Sequence, residues 1–216
     1  MDKFLFERVC AEYKNNYAAI FKIMYPAKNS TGFTERNLSV NFSRAYEKLI
    51  LENQQTCITW YEFQFGIKNN EHYDAVIINA ASKEILIIES KRYTEIPRKI
   101  KSIIEDIKRI NNFPSEIANE NSCRIADFAK YKTYGIILAD IWTQNTSSPR
   151  QKLRMKEQYK NNCFVNENEH LKNESVLKDI EFMYNVQDFA DCRDLIKSSA
   201  ICHDYYLLSM AWEVNI

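Results

Sequence analysis

The chain is poor in the residues that interrupt regular structure, and it carries no excess charge of either sign. Only three of its 216 residues are glycine and four are proline, which argues against a collagenous, linker-rich or disordered chain. The 29 basic residues balance 29 acidic ones, so any surface for a polyanion must be local. With 45% hydrophobic residues, the chain is predicted to form a single domain over residues 1–216.

Paired cysteines and long apolar runs are missing as well. The six cysteines form no CxxC pair and no spacing typical of a zinc knuckle or redox couple, so most are predicted to be buried small hydrophobic residues. No segment approaches the roughly 20 apolar residues of a membrane span. Charges interrupt the first eight residues too early for a signal peptide. We therefore expect a cytoplasmic protein with reduced thiols and no membrane partner.

Hydrophobic periodicity predicts the elements of the first third of the chain. A helix is expected over about 2–24, a polar loop over 26–37 and a second helix over about 42–53. Residues 56–66 alternate between aromatic and polar side chains, which predicts a half-buried strand. On that strand, the residues expected to share the covered face are Tyr61, Phe63 and Phe65, opposite Glu62 and Gln64.

Two apolar segments, 73–79 and 84–91, are predicted to form a hairpin whose paired residue numbers sum to 163. That register places Asp74 directly opposite Glu89. Like charges that face each other across a strand pair are destabilising, so the pair calls for a cation, and a divalent metal is the natural candidate. Because side chains alternate along a strand, Glu89 and Lys91 share a face, with the ammonium roughly 7 Å of chain beyond the carboxylate.

The second half of the chain begins with its clearest helix. It opens at Ile96 and Pro97, where proline is tolerated, and isoleucines recur at steps of three and four residues. A weaker helical stretch is expected near 122–130. Residues 133–142 are apolar on both faces, which predicts a central strand, and the helical crossover favours parallel pairing with the second hairpin strand.

The last third is predicted from shorter patterns. We expect a helix near 169–178, a strand with Phe182, Tyr184 and Val186, a helix opened by Asp188, and a final strand over 205–214 that could extend the sheet.

The order helix, three strands, helix, strand, together with Asp74 and Glu89-Ser90-Lys91, resembles the restriction-endonuclease-like, or PD-(D/E)xK, nuclease superfamily. The resemblance covers about residues 41–142, with Tyr73 in place of the proline of the family's name. It implies an α/β fold with a central mixed β-sheet flanked by helices. Residues 1–40 would then be an N-terminal helical extension and residues 143–216 a C-terminal elaboration.

The resemblance also implies roles for individual residues. Asp74 and Glu89 would bind the metal, and Glu47 matches a glutamate that the family often adds from the helix preceding the sheet. Hard oxygen ligands suit Mg²⁺, with Mn²⁺ as a substitute, better than zinc. Lys91 could orient or deprotonate the attacking water, or stabilise the phosphorus centre; these roles stay open, as does the choice between one metal and two. His72 is a further candidate for contact with a phosphate.

The expected function is that of a metal-dependent endonuclease that hydrolyses phosphodiester bonds in DNA. Alternatives are a nuclease for RNA or structured nucleic acid, and a non-catalytic nucleic-acid-binding or interaction module. Symmetrical cleavage of both strands would favour a homodimer. Two basic stretches could grip a phosphate backbone, although each is equally consistent with a solvated surface. Their candidate contacts are Arg92, Arg98, Lys101, Arg150, Lys152 and Arg154.

Overall fold

The structure of the protein is a computed structural model that describes residues 1–21, 23, 34–64, 72–92, 96–119, 125, 128–144, 180–189 and 202–214. At 96–100, 116, 118–119, 141–144 and 202–204 it describes the backbone alone. Within these ranges the chain forms three α-helices, six strands and one 3-10 turn. The helices are α1 (Lys3–Phe21), α2 (Glu35–Glu52) and α3 (Ile96–Asn119), and the 3-10 turn is Phe128–Lys130.

The strands form one mixed sheet in the order β1-β2-β3-β4-β6-β5. Neighbouring strands are antiparallel except β3 and β4, which are parallel and are joined by α3. The bounds of the strands are β1 (Ile58–Gln64), β2 (His72–Asn79), β3 (Glu84–Arg92), β4 (Lys132–Gln144), β5 (Met183–Asp188) and β6 (Cys202–Val214). The chain is therefore an α/β protein with a mixed sheet, as the sequence predicted.

Helices cover both faces of the sheet and divide the core into two apolar clusters. One cluster joins α1 and α2 to one face, through residues such as Phe6, Phe42 and Ile88. The other joins α3 to the opposite face, through Ile87, Ile107 and others. The isoleucine stripe of α3 thus faces the sheet, because residues three and four apart lie on one side of a helix. The result is a three-layer arrangement of helices, sheet and helix.

Two polar or tight contacts fix α3 and the neighbouring strands in place. The indole Nε1 of Trp212 donates to the side-chain oxygen of Asn111 at 2.8 Å, which ties β6 to α3. Gly135 pairs with Trp212 across β4 and β6, and a β-carbon at Gly135 would overlap the indole ring. The ring therefore lies directly over the backbone of β4, and α3 is held above β3 and β4.

The hairpin register and the strands of the second half are confirmed. Ala75 pairs with Ile88 and Asn79 with Glu84, so paired numbers sum to 163 as predicted. Parallel pairing of β3 with β4 is confirmed, as are the strands over 183–188 and 202–214. Asp188 is the last residue of β5, and both the helix expected after it and the one expected near 169–178 fall outside the described residues.

The start of α2 differs from the prediction. The helix begins at Glu35 instead of 42, which makes the predicted loop over 26–37 too long. Its first two turns bury Ser39 and Asn41 beside Leu38, and these polar side chains hide the apolar stripe from a hydrophobicity pattern. Their polar atoms are satisfied within the helix, since the Ser39 hydroxyl donates to the carbonyl of Arg36 and the Asn41 amide to that of Asn37.

The remaining sequence predictions concern membrane-spanning helices and cysteines. Within the described ranges, no helix has both the length and the apolar character needed to cross a lipid bilayer. Cys10 is buried and Cys57 half-buried, and both are free thiols. Burial raises the pKa of Cys10 to about 12 and that of Cys57 to about 11, so at neutral pH both are protonated and inert.

Candidate functional site

Four charged side chains meet under α3 at the end of β3. Glu89 and Lys91 lie on the face of β3 that also carries Ile85 and Ile87, and α3 supplies Asp106 and Arg109. The distance from Arg109 Nη2 to Glu89 Oε1 is 2.5 Å, and that from Lys91 Nζ to Asp106 Oδ2 is 2.9 Å. Two longer contacts link the same four side chains: Lys91 lies 3.9 Å from Glu89, and Arg109 lies 3.1 Å from Asp106.

Burial raises the pKa of both acids in this cluster, Glu89 and Asp106. Glu89 is 2% exposed, and desolvation raises its pKa to about 8; nearby Asp106 and Asp74 act in the same direction, while Arg109 and Lys91 oppose them. Desolvation also raises the pKa of Asp106, against the effect of Lys91. For Lys91, burial acts to lower the pKa, but the surrounding acids outweigh it and the pKa is raised. The lysine is therefore a cation held among acids.

Asp74 reaches this cluster from β2, at the point where β2 leaves β3. The paired register ends at Ala75 and Ile88, and beyond it the backbone N–H of Ser90 donates to Asp74 Oδ2 at 2.6 Å. The next outward N–H on β3, that of Arg92, donates to Glu35 Oε1 at 2.7 Å. Two carboxylates thus take the place of β2 as acceptors, which satisfies backbone N–H groups of β3 beyond the paired register.

The positions of Glu62 and Asp74 mark a reversal of the sheet faces in β1 and β2. Tyr61 and Ala75, which pair, pack on the α1 and α2 side, whereas Phe63 and Tyr73, which also pair, pack on the α3 side. Residues two apart in a regular strand share a face, so both strands reverse between these pairs. Glu62 has a φ of 51°, a left-handed conformation that is uncommon for residues other than glycine. The predicted single covered face of Tyr61 and Phe63 is therefore wrong.

The reversal brings together Glu62, His72 and Asp74. One ligand atom from each of the three lies within 4.8 Å of the others, which makes them a group that could hold a metal ion. The distance from His72 Nε2 to Glu62 Oε2 is 2.9 Å, and Arg36 Nε of α2 lies 3.8 Å from Glu62 Oε1. Glu62 and His72 are exposed and Asp74 is half-buried, so solvent reaches the group from the edge of the sheet.

The opposite face of β3 carries a second buried ionic cluster. Arg92 Nε lies 3.7 Å from Asp140 Oδ1 on the neighbouring strand β4, and the Tyr205 hydroxyl donates to Asp140 Oδ2 at 3.0 Å. Asp140 is 2% exposed and Tyr205 is 1% exposed. This cluster holds one carboxylate between a cation and a hydroxyl. It lies at the junction between the sheet and α1, where Tyr205 packs against Tyr17 and Phe21.

Of the predicted site residues, the structure brings Asp74, Glu89 and Lys91 together. Burial raises the pKa of both Asp74 and Glu89; Asp74 raises that of Glu89 further, and Lys91 opposes the increase at each carboxyl, so the three groups interact. Glu47 is placed elsewhere: it accepts a hydrogen bond from the Thr59 hydroxyl of β1. It lies 12 residues along α2 from Glu35, a rise of roughly 18 Å. The earlier start of the helix puts Glu35, and not Glu47, beside the end of β3.

The predicted basic contacts differ in placement. Lys101 is exposed on α3, whereas Arg92 lies against Asp140 and is only partly exposed. The backbone of Arg98 belongs to α3, but its side chain is outside the described atoms. Arg150, Lys152 and Arg154 lie outside the described residues.

Sequence reasoning missed Asp106, Arg109 and Glu35 as members of this region. A signal for the first was present, because Asp106 interrupts the isoleucine stripe of α3 between Ile103 and Ile110. A charged residue on an otherwise apolar helix face needs a buried partner. Glu35 gave no such signal, since its role depends on where the helix begins.

Comparison with known proteins adds no assignment. No protein-family model matches the chain, and neither the curated proteins nor the solved structures include a significant match to it.

Proposed function

We propose that this protein is a metal-dependent phosphodiesterase that cleaves nucleic acid. The observation that carries the proposal is the convergence of Asp74, Glu89 and Lys91, which interact at the point where β2 and β3 separate. The order α2, β1, β2, β3, α3, β4 supports it as well, because this is the order of elements that the resemblance to the PD-(D/E)xK superfamily implied.

The donors at this point suit a hard divalent cation. Asp74 and Glu89 offer carboxylate oxygens, which Mg²⁺ and Mn²⁺ prefer, and no cysteine lies among the described residues of the cluster. Desolvation, with Asp106 and Asp74 nearby, raises the pKa of Glu89, so a bound cation would favour its charged form. When bound, the ion would polarise the scissile phosphate and lower the pKa of a coordinated water.

The protein's own side chains would orient and neutralise the reacting groups. Lys91 is held at 2.9 Å from Asp106, so its ammonium is fixed and charged, which suits stabilisation of negative charge on phosphate better than removal of a proton. Arg109 contacts Glu89 at 2.5 Å and occupies one of its oxygens. The ion and Arg109 would therefore share or compete for that carboxylate.

DNA is the substrate we favour, and contacts to the 2′-hydroxyl, not to phosphate, would distinguish RNA from it. Lys101 on the exposed side of α3 is the described candidate for a phosphate contact. A structured DNA or RNA substrate is the alternative within the same chemistry. A non-catalytic module is disfavoured because Asp74, Glu89 and Lys91 are all present and interacting.

The proposal is tested by incubation with supercoiled plasmid, linear duplex, branched DNA and RNA, with Mg²⁺, with Mn²⁺ and with a chelator. We expect metal-dependent cleavage in the wild type and a loss of about 100-fold or more in Asp74→Ala and Lys91→Ala. Lys48→Ala is the matched control, because Lys48 pairs with Glu12 on the surface of α2, away from β3. Equal cleavage by all four proteins, with folding verified by circular dichroism, would refute the proposal.

A further inference from the structure

We propose that Glu62, His72 and Asp74 form a binding site for a first-row divalent transition metal. This site lies at the edge of the sheet and uses two side chains that the proposed phosphodiesterase site does not. The proposal concerns metal binding, so it stands or falls separately from cleavage of nucleic acid.

The geometry of the three side chains is set by the backbone. Gln64 pairs with His72 and Tyr61 with Ala75, so Glu62 lies opposite Asp74 with His72 two residues away on the same strand. The shared reversal of faces at Glu62 and Asp74 turns these side chains toward one another. Two paired strands therefore supply all three ligands, and a rigid element positions them better than a loop would.

The distances within the group match those of a coordination sphere. Two ligand atoms bound to one ion by bonds of about 2.1 Å lie roughly 3 Å apart when the bonds are near right angles. Glu62 Oε2 and His72 Nε2 are separated by 2.9 Å, and a ligand atom of Asp74 lies within 4.8 Å of both. Small rotations of exposed side chains would bring all three into contact with one ion.

The charges around the group also favour a cation. Glu62 and Asp74 face each other across β1 and β2, and like charges in directly opposite positions are destabilising. Asp74 is oriented by the Ser90 N–H at 2.6 Å, which leaves its other oxygen for a ligand. Arg36 supplies some positive charge, but its Nε is 3.8 Å from Glu62 Oε1 and both side chains are exposed. A divalent ion would neutralise the pair more completely.

The imidazole distinguishes this site from one for Mg²⁺. Mg²⁺ selects oxygen donors, whereas imidazole nitrogen is a ligand for transition metals such as Co²⁺, Ni²⁺ and Zn²⁺. Two carboxylates and one imidazole leave further positions for water, as in open metal sites. We expect a transition metal to bind here more tightly than Mg²⁺.

Binding is measured by titration with Co²⁺ as the only added metal, and calorimetry and visible absorption detect it. The variants His72→Ala and Glu62→Gln should weaken Co²⁺ binding by about 10-fold or more, since loss of groups that only support a ligand already costs about that much. Gln64→Ala, an exposed neighbour on β1, is the matched control and should bind as the wild type does. Arg36→Gln should bind several-fold more tightly, because it removes a competing cation.

A second measurement identifies the ligand directly. The chain has three histidines, so the ring signals of His72 can be assigned in a proton NMR spectrum by their loss in His72→Ala. Substoichiometric Mn²⁺ should broaden those signals before the other two sets. Unchanged Co²⁺ affinity in His72→Ala or Glu62→Gln, or broadening confined to the other histidines, would overturn the proposal.

Failure of this site and failure of the proposed function give different results. Glu89→Gln should abolish cleavage but still bind Co²⁺. Adding His72→Ala to this variant should weaken Co²⁺ binding as much as His72→Ala does alone. Co²⁺ binding that depends on Glu89 but not on His72 would refute the second site and leave the phosphodiesterase site intact. Co²⁺ binding without any cleavage would refute the proposed phosphodiesterase activity and leave the proposed metal site of Glu62, His72 and Asp74 in place.

Discussion

The two faces of β3 each bury a carboxylate beside an arginine, yet the surroundings of the two carboxylates differ. On the α1 and α2 side, Asp140 lies between Arg92 and the Tyr205 hydroxyl. On the α3 side, Glu89 contacts Arg109, but Asp106 and Asp74 are near enough to raise its pKa. Both carboxylates have about 3% of the side chain exposed, so the two sites differ in their charged neighbours and not in burial.

The comparison shows that, among the described residues, acids outnumber cations on the α3 side of β3 but not around Asp140. Asp74, Glu89 and Asp106 are three acids that share two cations, Lys91 and Arg109, whereas Asp140 has a cation and a hydroxyl of its own. Buried acids without enough counter-charge cost stability, and proteins accept such a cost mainly at functional sites. The α3 side is therefore where an added cation would stabilise the fold.

The largest expected effect is the loss of either arginine in the absence of metal. Arg109→Met should lower the free energy of unfolding by about 3 kcal/mol, because Glu89 and Asp106 lose a cation. Arg92→Met should cost a similar amount, about 3 kcal/mol, because Asp140 stays buried with the Tyr205 hydroxyl but without this cation. Urea denaturation measures both losses.

Added Mg²⁺ should affect the stability of the two arginine variants differently. It should recover much of the lost stability in Arg109→Met by replacing the missing positive charge, and it should leave Arg92→Met unchanged. Equal recovery in the two variants would contradict the assignment of the cation-deficient cluster to the α3 side.

A smaller effect concerns pH. The pKa of Glu89 is about 8 in the folded chain, above the ordinary value of 4.5, so the folded state holds more protons than the unfolded state between these values. Stability should therefore fall as the pH rises from about 4.5 to 8. Each pKa unit corresponds to about 1.4 kcal/mol.

Glu89→Gln should remove on the order of 2 kcal/mol of that pH dependence, while Asp74 and Asp106 retain their own share. Unfolding by urea at pH 5, 6.5 and 8 in the presence of a chelator measures it. Parallel curves for wild type and variant would show that Glu89 does not carry the effect.

The smallest effect tests which outer surface meets nucleic acid. Lys101→Gln on α3 should weaken DNA binding several-fold and reduce the slope of log affinity against log salt by about 1, because one phosphate contact is lost. Lys48→Gln on α2 is the control for the opposite face. Equal losses in the two variants would place the DNA away from α3.

Much of the region around β3 was predictable because it depends on short stretches of sequence. The β2 and β3 register follows from the turn and a period of two, and the pairs from Ala75–Ile88 to Asn79–Glu84 confirm it. The ladder ends one pair before the predicted Asp74–Glu89 pair, where Asp74 accepts from the Ser90 N–H instead. The helix of Ile103, Ile107 and Ile110 follows from a period of 3.6. Glu47 was misplaced because buried polar residues concealed the first two turns of α2, which moved the helix glutamate near the site to Glu35.

The sequence by itself determined the α/β class, the hairpin, the α3 crossover and the parallel pairing of β3 with β4, since the elements depend on local periodicity and a helical crossover favours parallel pairing. Only the tertiary structure decided that Asp106 and Arg109 meet Glu89 and Lys91, that β6 lies between β4 and β5, and that Glu62 turns toward His72. These contacts join segments distant along the chain. Their geometry follows from packing and from the competition among buried charges for too few partners, which no local pattern records.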